Sequence, residues 1–224
     1  MIVGNGLVAS HFRRLGLIRK DTVIFASGVS NSRETRTEAF QRERSLLQTH
    51  LNGTQSRLVY FSSFGVATEE YSPYLEHKRQ MEDLVASKSA ANLIFRLPQV
   101  VGKSENPNTL ANAMIHNIGN DLEFEVWAYA ERNFIDIEHV ASIAHEAIAQ
   151  YASGIIPIMS ERSLSMPEIV RIFEEILDKP AKFRLIETGA PMPADTSKIR
   201  DLAKKLGIEL GGDYARRVLK RYYG

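Results

Sequence analysis

The chain has 224 residues, with 28 Lys and Arg against 27 Asp and Glu, which suits one large domain or a domain with a small lobe. A net charge of +1 gives no reason to expect nucleic acid or an anionic membrane as the main partner. The absence of cysteine excludes disulfides and thiolate metal sites, and no secretory signal or apolar run of about 20 residues is visible, so we expect a soluble cytoplasmic protein.

The first predicted elements are a short strand, Met1–Val3, and a helix over Ser10–Gly16. Between them lies Gly4-Asn5-Gly6-Leu7-Val8-Ala9, a G-x-G-x-x-A pattern. Glycines let the backbone approach a pyrophosphate, and a helix N-terminus supplies unpaired N–H groups. The pattern therefore indicates a dinucleotide site, and the alternative is a tight strand-to-helix turn without a ligand.

A second strand is predicted over Thr22–Ala26, and it ends in the small residues Ala26, Ser27 and Gly28. Small residues at a strand's carboxyl end leave room for a ligand. A long helix is predicted over Thr35–Leu51. We interpret the charges in and before this helix as a solvated face, namely Arg33, Glu34, Arg36, Glu38, Arg42, Glu43 and Arg44.

The third predicted strand, Arg57–Phe61, runs into Ser62-Ser63 and is followed by a helix over Tyr71–Ser87. Tyr74 and Lys78 are four residues apart, so a helix brings both to one face. An ammonium one turn away favours the phenolate form of a tyrosine, which suits a general acid/base. Such a spacing is also common by chance on a solvated helix face.

The fourth predicted strand is Asn92–Leu97, and we interpret Pro98–Gly102 as the loop after it. Alternation of strands and helices predicts a doubly wound parallel sheet, in which the carboxyl ends of all strands share one edge. One crevice would thus be lined by four strand ends: Gly4–Ala9, Ala26–Ser30, Ser62–Ser63 and Pro98–Gly102.

From about Lys103 the pattern changes, and we expect residues 103–224 to form mostly a substrate lobe, with some elements returning to the core of residues 1–102. The predicted helices are 106–118, 138–151, one with Pro167 near its start that ends at Asp178, one that starts near Asp195 and ends at Gly207, and 214–222. The predicted strands are 122–126, 133–137, 155–159 and 182–187.

These motifs together resemble the extended or atypical branch of the short-chain dehydrogenase/reductase superfamily, the NAD-dependent epimerase/dehydratase group that modifies nucleotide sugars. The resemblance runs along nearly the whole chain. It is carried by Gly4–Ala9, Ala26–Gly28, Val59–Ser63, Tyr74 with Lys78, Leu97–Gly102, Arg132–Val140 and Asp195–Lys198.

The resemblance implies a catalytic role for three residues. Tyr74 would be the general acid/base, and Lys78 would lower the pKa of the catalytic phenol and bind the nicotinamide ribose. Ser63 would hydrogen-bond the reacting sugar oxygen, with Ser62 as the alternative for this contact to the substrate.

The resemblance also implies binding roles along the predicted crevice. Gly4, Asn5, Gly6, Leu7 and Val8 would surround the cofactor pyrophosphate, and Ala26, Ser27 and Gly28 would lie beside the adenosine ribose. Pro98 and Val100 would contact the nicotinamide, and Gln99 would lie close to the substrate phosphates. Arg132 would bind the nucleotide diphosphate through its guanidinium, the alternative being a surface ion pair.

Departures from the family pattern are also visible. Two further strands normally separate the glycine turn from the strand ending in Ala26-Ser27-Gly28, and one of them supplies an acidic residue for the adenosine ribose. Here Asp21 precedes its strand, where it is poorly placed for that role. We therefore expect a shortened Rossmann fold and leave the choice between NAD and NADP open.

The resulting hypothesis is an NAD(P)-dependent reductase or epimerase that acts on a nucleotide-activated sugar in polysaccharide biosynthesis. Dehydration is less favoured because Phe64-Gly65 replaces the Asp-Glu pair that such dehydratases usually have. The alternative is a nucleotide-binding or regulatory module on the same fold.

The histidines show no paired spacing, which argues against a metal site. By analogy we expect a homodimer formed by the helices 35–51 and 71–87.

Overall fold

The computed structural model describes residues 1–16, 21–53, 57–68, 70–88, 91–104 and 106–224. Its helices are α1 (Leu7–Arg14), α2 (Thr37–Gly53), α3 (Pro73–Lys88), α4 (Leu110–Gly119), α5 (Ile137–Gln150), α6 (Met166–Leu177), α7 (Arg200–Lys205) and α8 (Tyr214–Tyr223), with a short 3-10 helix at Phe64–Ala67. Its strands are β1 (Ile2–Val3), β2 (Thr22–Phe25), β3 (Arg57–Ser63), β4 (Leu93–Leu97), β5 (Gln99–Val101), β6 (Phe124–Trp127), β7 (Glu131–Arg132), β8 (Phe134–Asp136), β9 (Gly154–Pro157), β10 (Leu164–Ser165) and β11 (Phe183–Ile186). No helix in these ranges is both long and apolar enough to cross a membrane.

A five-stranded parallel sheet lies at the centre, in the order β1-β2-β3-β4-β9. Its inner strands are runs of apolar residues because parallel strands are covered on both faces. The register places Phe25 opposite Tyr60 and Ser63 opposite Leu97, so the predicted strand ends do meet at one edge. The predicted parallel sheet is confirmed.

Alternate residues of the strands contact helices on opposite faces of the sheet. Val59 and Phe61 on β3 belong to the apolar core that contains α1 and α5. Leu58 and Tyr60 belong to a separate core with Leu47 of α2 and the buried side of α3. The doubly wound arrangement is therefore confirmed, with α1 and α5 on one face and α2 and α3 on the other.

The first two crossovers of the sheet have opposite hands. Both steps, β1 to β2 and β2 to β3, run in the same direction across the sheet. Their helices, α1 and α2, cover opposite faces. Since about 98% of such crossovers are right-handed, one of these two is of the rare kind, which the sequence pattern did not predict.

The second half of the chain contributes β9 to the central sheet. The described residues also form three small two-stranded pairings, β5 with β8, β6 with β11 and β7 with β10. The interpretation of Pro98–Gly102 as a loop is wrong, because Gln99–Val101 forms β5. This strand pairs in parallel with Phe134–Asp136, and the Gln99 N–H donates to the Asn133 carbonyl at 3.0 Å. Its partner is distant in sequence, so local pattern could not reveal it.

The final helix, α8, is attached to the start of α5 through a buried carboxylate. Asp136, 1% exposed, caps α5 by accepting the Glu138 N–H at 2.8 Å. It also accepts hydrogen bonds from Arg221 and from the Tyr222 hydroxyl, both at 2.9 Å. These contacts hold α8 against the face of the sheet that α5 covers.

Candidate active site

The predicted strand ends come together at the carboxyl edge of the sheet. Gly4 has φ +111°, and a Cβ there would lie 2.2 Å from the Ala26 carbonyl oxygen. Only glycine permits both this backbone conformation and this approach. A Cβ on Gly102 would meet Ile137 and Leu7. The glycine turn after β1 therefore packs directly on the ends of two other strand segments.

The glycine turn itself is open on its outer side. Asn5 and Gly6 are exposed, whereas Leu7 and Val8 are partly buried, and a Cβ on Gly6 would meet no atom within 4 Å. The N-cap of α1 has no side-chain hydrogen bond, and the first turn carries no acidic residue. The backbone N–H groups at this helix end can therefore receive an anion.

The two serines at the end of β3 have different surroundings. Ser63 is partly exposed, and its Oγ accepts the Gly65 N–H at 3.2 Å, which caps the short 3-10 helix. Ser62 is 5% exposed, and its Oγ has no hydrogen-bond partner among the described residues. Ser63 is thus the serine that a ligand can approach.

Tyr74 and Lys78 lie together on α3, as their spacing predicts. The Lys78 Nζ is 5.7 Å from the centre of the Tyr74 ring. Tyr74 is partly exposed, and Lys78 is only 2% exposed. The tyrosine is therefore accessible to a ligand, whereas the ammonium lies inside the protein.

The ammonium of Lys78 is held by a buried hydrogen-bonded cluster. Its Nζ lies 2.9 and 3.3 Å from the two carboxylate oxygens of Glu43 and 3.1 Å from the Tyr60 hydroxyl. Glu43 and Tyr60 are both fully buried, so the ammonium is held by acceptors inside the protein. A ribose that binds Lys78 would compete with these acceptors.

Glu43 is the centre of this cluster and corrects the prediction of a solvated face on α2. Its side chain is 0% exposed, and it also accepts hydrogen bonds from the Tyr60 hydroxyl and the Val29 N–H, both at 2.6 Å. His77 Nε2 lies 3.0 Å away. Of the charges predicted to be solvated, Glu34 is also buried, at 7% exposure, and pairs with Arg36.

The cluster sets the charge of Glu43. Burial alone would raise the pKa of this carboxyl, but the hydrogen bond with His77, the charge of Lys78 and the bonds from Tyr60 and Val29 lower its pKa to about 2. Burial and the neighbouring Glu43 charge raise the pKa of Tyr60 well above its ordinary value. Glu43 is thus an anion and Tyr60 a neutral phenol near neutral pH.

Gly28 packs directly against this cluster and leaves no room for a side chain. A Cβ at Gly28 would lie 2.6 Å from Lys78 Nζ and 2.9 Å from Glu43 Oε1. Ala26 and Ser27, its partly exposed neighbours, form the surface against which Gly4 packs. The segment predicted to lie beside the adenosine ribose therefore also supports the buried ion pair.

The predicted nicotinamide and substrate contacts lie along β5 and β7. Pro98, Gln99 and Val100 are all partly buried, so each retains some accessible surface. Arg132 donates to Glu70 at 3.1 Å and to the Glu131 carbonyl at 2.7 Å. An anionic ligand at Arg132 would have to compete with Glu70.

One functional group was missed by the sequence analysis, namely Glu43. The sequence does contain a signal for the burial of Glu43, since Glu43 and the buried Leu47 are four residues apart and lie on one helix face. The described residues contain no group of three or more His, Asp or Glu side chains suited to a metal ion. The site therefore combines a partly exposed phenol beside a buried ammonium on α3 with an uncapped helix start after β1.

Known proteins resemble this chain in sequence family and in fold. A model of the NAD dependent epimerase/dehydratase family matches residues 17–159, more than half of the chain. No curated protein sequence matches the chain.

Several solved structures share the fold. UDP-glucose 4-epimerase from Thermus thermophilus, in complex with NAD, has a TM-score of 0.70 at 14% identity, over 96% of this chain and 81% of that one. UDP-glucuronic acid 4-epimerase from Bacillus cereus, with UDP-glucuronic acid and NAD, has a TM-score of 0.70 at 17% identity, over 98% and 79%. RMD from Pseudomonas aeruginosa, with NADPH, has a TM-score of 0.69 at 15% identity, over 98% and 97%. The fold is thus a shortened Rossmann fold.

Proposed function

Because the chain belongs to the NAD dependent epimerase/dehydratase family, we propose that it is an NAD(P)-dependent epimerase or reductase of a nucleotide-activated sugar with Tyr74 as general acid/base. The observation that carries this proposal is the pair formed by Tyr74 and Lys78 on one face of α3, with Nζ 5.7 Å from the tyrosine ring. The solved structures of similar fold support the substrate class, since they include two UDP-sugar 4-epimerases.

The residues around the glycine turn fit part of a nicotinamide cofactor. Open space over Gly6 and the uncapped start of α1 suit a phosphate. The accessible parts of Pro98 and Val100 suit a flat ring. The adenosine end has no comparable support, because no described strand lies beyond β1.

The chain's own groups would act on the sugar. When bound, the nicotinamide supplies the acceptor and donor of a hydride. Tyr74 would take the proton from the sugar hydroxyl as the carbonyl forms and return it when the hydroxyl is restored. The partly exposed Ser63 hydroxyl would hydrogen-bond the same oxygen, and the Lys78 ammonium would lie one helix turn from the tyrosine. Arg132, once released from Glu70, would bind the diphosphate.

The decisive experiment is the Tyr74→Phe variant with NAD and a panel of UDP-sugars, followed by proton NMR of the sugar. We expect turnover to fall by about 100-fold or more, since general acid–base catalysis contributes about that much. Tyr71→Phe is the matched control, because Tyr71 lies just before α3 and is 80% exposed. Equal turnover in wild type and Tyr74→Phe, with unchanged circular dichroism, would refute the role of Tyr74.

A second candidate function is a nucleotide-binding or regulatory module. It is favoured by the burial of Lys78, whose ammonium is already hydrogen-bonded to Glu43 and Tyr60. A module of this kind would bind the nucleotide sugar but show no thermal shift with NADH or NADPH. A shift with either cofactor together with turnover supports the enzyme instead.

We also propose a division of the chain and a dimer. Residues 1–102 would form the cofactor core and 103–224 mostly the substrate lobe, with β9 returning to the sheet. The contacting helices α2 and α3 would pair with the same helices of a second copy. Light scattering after size exclusion tests the dimer, and a monomer at micromolar concentration would contradict it.

A further inference from the structure

The central sheet contains only one side of a dinucleotide site. Dinucleotide-binding sheets consist of two mononucleotide-binding halves, and the ligand lies across the point where the strand order reverses. Here the order β1-β2-β3-β4-β9 runs in one direction. The described strands therefore contain no reversal, and β1, with the glycine turn at its end, lies at an edge of the sheet.

Helix α1 does not compensate for the missing half. It leads from β1 to the inner strand β2, and its buried Phe12 packs on Phe61 of β3 with ring centres 5.7 Å apart. The helix therefore covers the inner strands of the sheet. Within the described part of the chain, no strand lies on the outer side of β1, where the adenosine half would lie.

The carboxylates near β2 are also unavailable for an adenosine ribose. Asp21 lies at the amino end of β2, opposite the edge that carries the glycine turn. Glu34 is buried and bound by Arg36. Glu43 is fully buried and bound by Lys78. The usual acceptor for the ribose hydroxyls is thus not offered by these three residues.

We propose that this protein recognises only the nicotinamide mononucleotide half of its cofactor and leaves the adenosine half in solvent. The inference rests on the proposed function, since it concerns the same glycine turn and the same crevice. It follows that the adenosine half adds little binding free energy. A 2′-phosphate on the adenosine half therefore changes the dissociation constant little.

The test is a titration of the full chain with NADH, NADPH and reduced nicotinamide mononucleotide, followed by nicotinamide fluorescence and calorimetry, with AMP as a competitor. We expect the three dissociation constants to agree within about threefold. We expect millimolar AMP to leave NADH bound.

Two results would overturn the inference and can be told apart. NADH binding about 100-fold or more tighter than the mononucleotide means that the adenosine half is recognised; the inference then fails while the proposed function stands. No binding of any of the three reduced nicotinamide ligands at millimolar concentration removes both the inference and the proposed function.

A glycine variant tests whether the ligand uses the turn. Gly6→Ala places a methyl group in open space, so the fold tolerates it, but the methyl group obstructs the approach of a phosphate. We expect all three ligands to lose affinity by a similar factor of about tenfold. Gly119→Ala, also in open space but on α4, is the matched control. Equal affinity in Gly6→Ala and the control would contradict binding at the turn.

Discussion

Two buried carboxylates on opposite faces of the sheet bind the same kinds of partner. Glu43 on α2 binds the Lys78 ammonium at 2.9 Å and the Tyr60 hydroxyl at 2.6 Å. Asp136 at the start of α5 binds the guanidinium of Arg221 and the Tyr222 hydroxyl, both at 2.9 Å. Each also accepts a backbone N–H.

The two clusters differ in the exposure of the cation. The side chain of Lys78 is 3% exposed, whereas that of Arg221 is 51% exposed. Water can replace Asp136 at Arg221 but not Glu43 at Lys78. We therefore expect the burial of the cation, rather than the identity of the groups, to determine the free energy lost when such a pair is broken.

The largest effect is expected for Glu43→Ala. The variant leaves the Lys78 ammonium buried without a counter-charge, so the free energy of unfolding should fall by about 3–5 kcal/mol. Urea unfolding measures this value, with Glu38→Ala on the exposed side of α2 as the control. A loss below about 1 kcal/mol would mean that water reaches Lys78 and that the two clusters are alike.

Acid should weaken the Glu43 cluster in a defined range of pH. The pKa of Glu43 is about 2 in the folded protein, against an ordinary value of 4.5. The carboxylate therefore stabilises the fold above about pH 4.5, and this stabilisation, about 3 kcal/mol, is lost as the pH falls towards 2. The difference in unfolding free energy between wild type and Glu43→Gln should shrink over this range. A constant difference from pH 6 to 2 would contradict the lowered pKa.

A smaller effect is expected for Asp136→Asn. The amide keeps the cap of α5 but weakens the bonds to Arg221 and Tyr222, so unfolding free energy should fall by about 1–2 kcal/mol. Arg221→Ala should cost about 1 kcal/mol or less, since the Arg221 side chain, unlike that of Lys78, is half exposed. Thermal unfolding of both variants beside Glu43→Ala gives the ranking. A larger loss of unfolding free energy for Asp136→Asn than for Glu43→Ala would contradict the comparison of the two clusters.

The sequence predicts the elements whose signals are local. Apolar runs predict the inner strands, and the spacing of Tyr74 and Lys78 predicts that they share a face of α3. The wrong interpretation of Gln99–Val101 has a physical reason, because this strand exists only through its pairing with β8. The opposite hands of the first crossovers also depend on which face each helix covers, and no local pattern encodes that choice.

Glu43 illustrates a different limit of sequence reasoning. Among many charges on α2, one glutamate is indistinguishable from a solvated residue unless its position on the face of Leu47 is noticed. Its burial depends on partners from two other elements, Tyr60 on β3 and Lys78 on α3. The sequence could therefore predict that Tyr74 and Lys78 share a face of α3, but not that the lysine is buried against Glu43.

The most direct test of the central claim is saturation-transfer difference NMR of the full chain with NAD. Saturation reaches the ligand protons that touch the protein. We predict strong transfer to the nicotinamide protons, weak transfer to the adenine protons, and weaker transfer to both in the Gly6→Ala variant, whose affinity is expected to be about tenfold lower. Strong transfer to adenine with little or none to nicotinamide would contradict a cofactor bound with its reactive ring beside Tyr74.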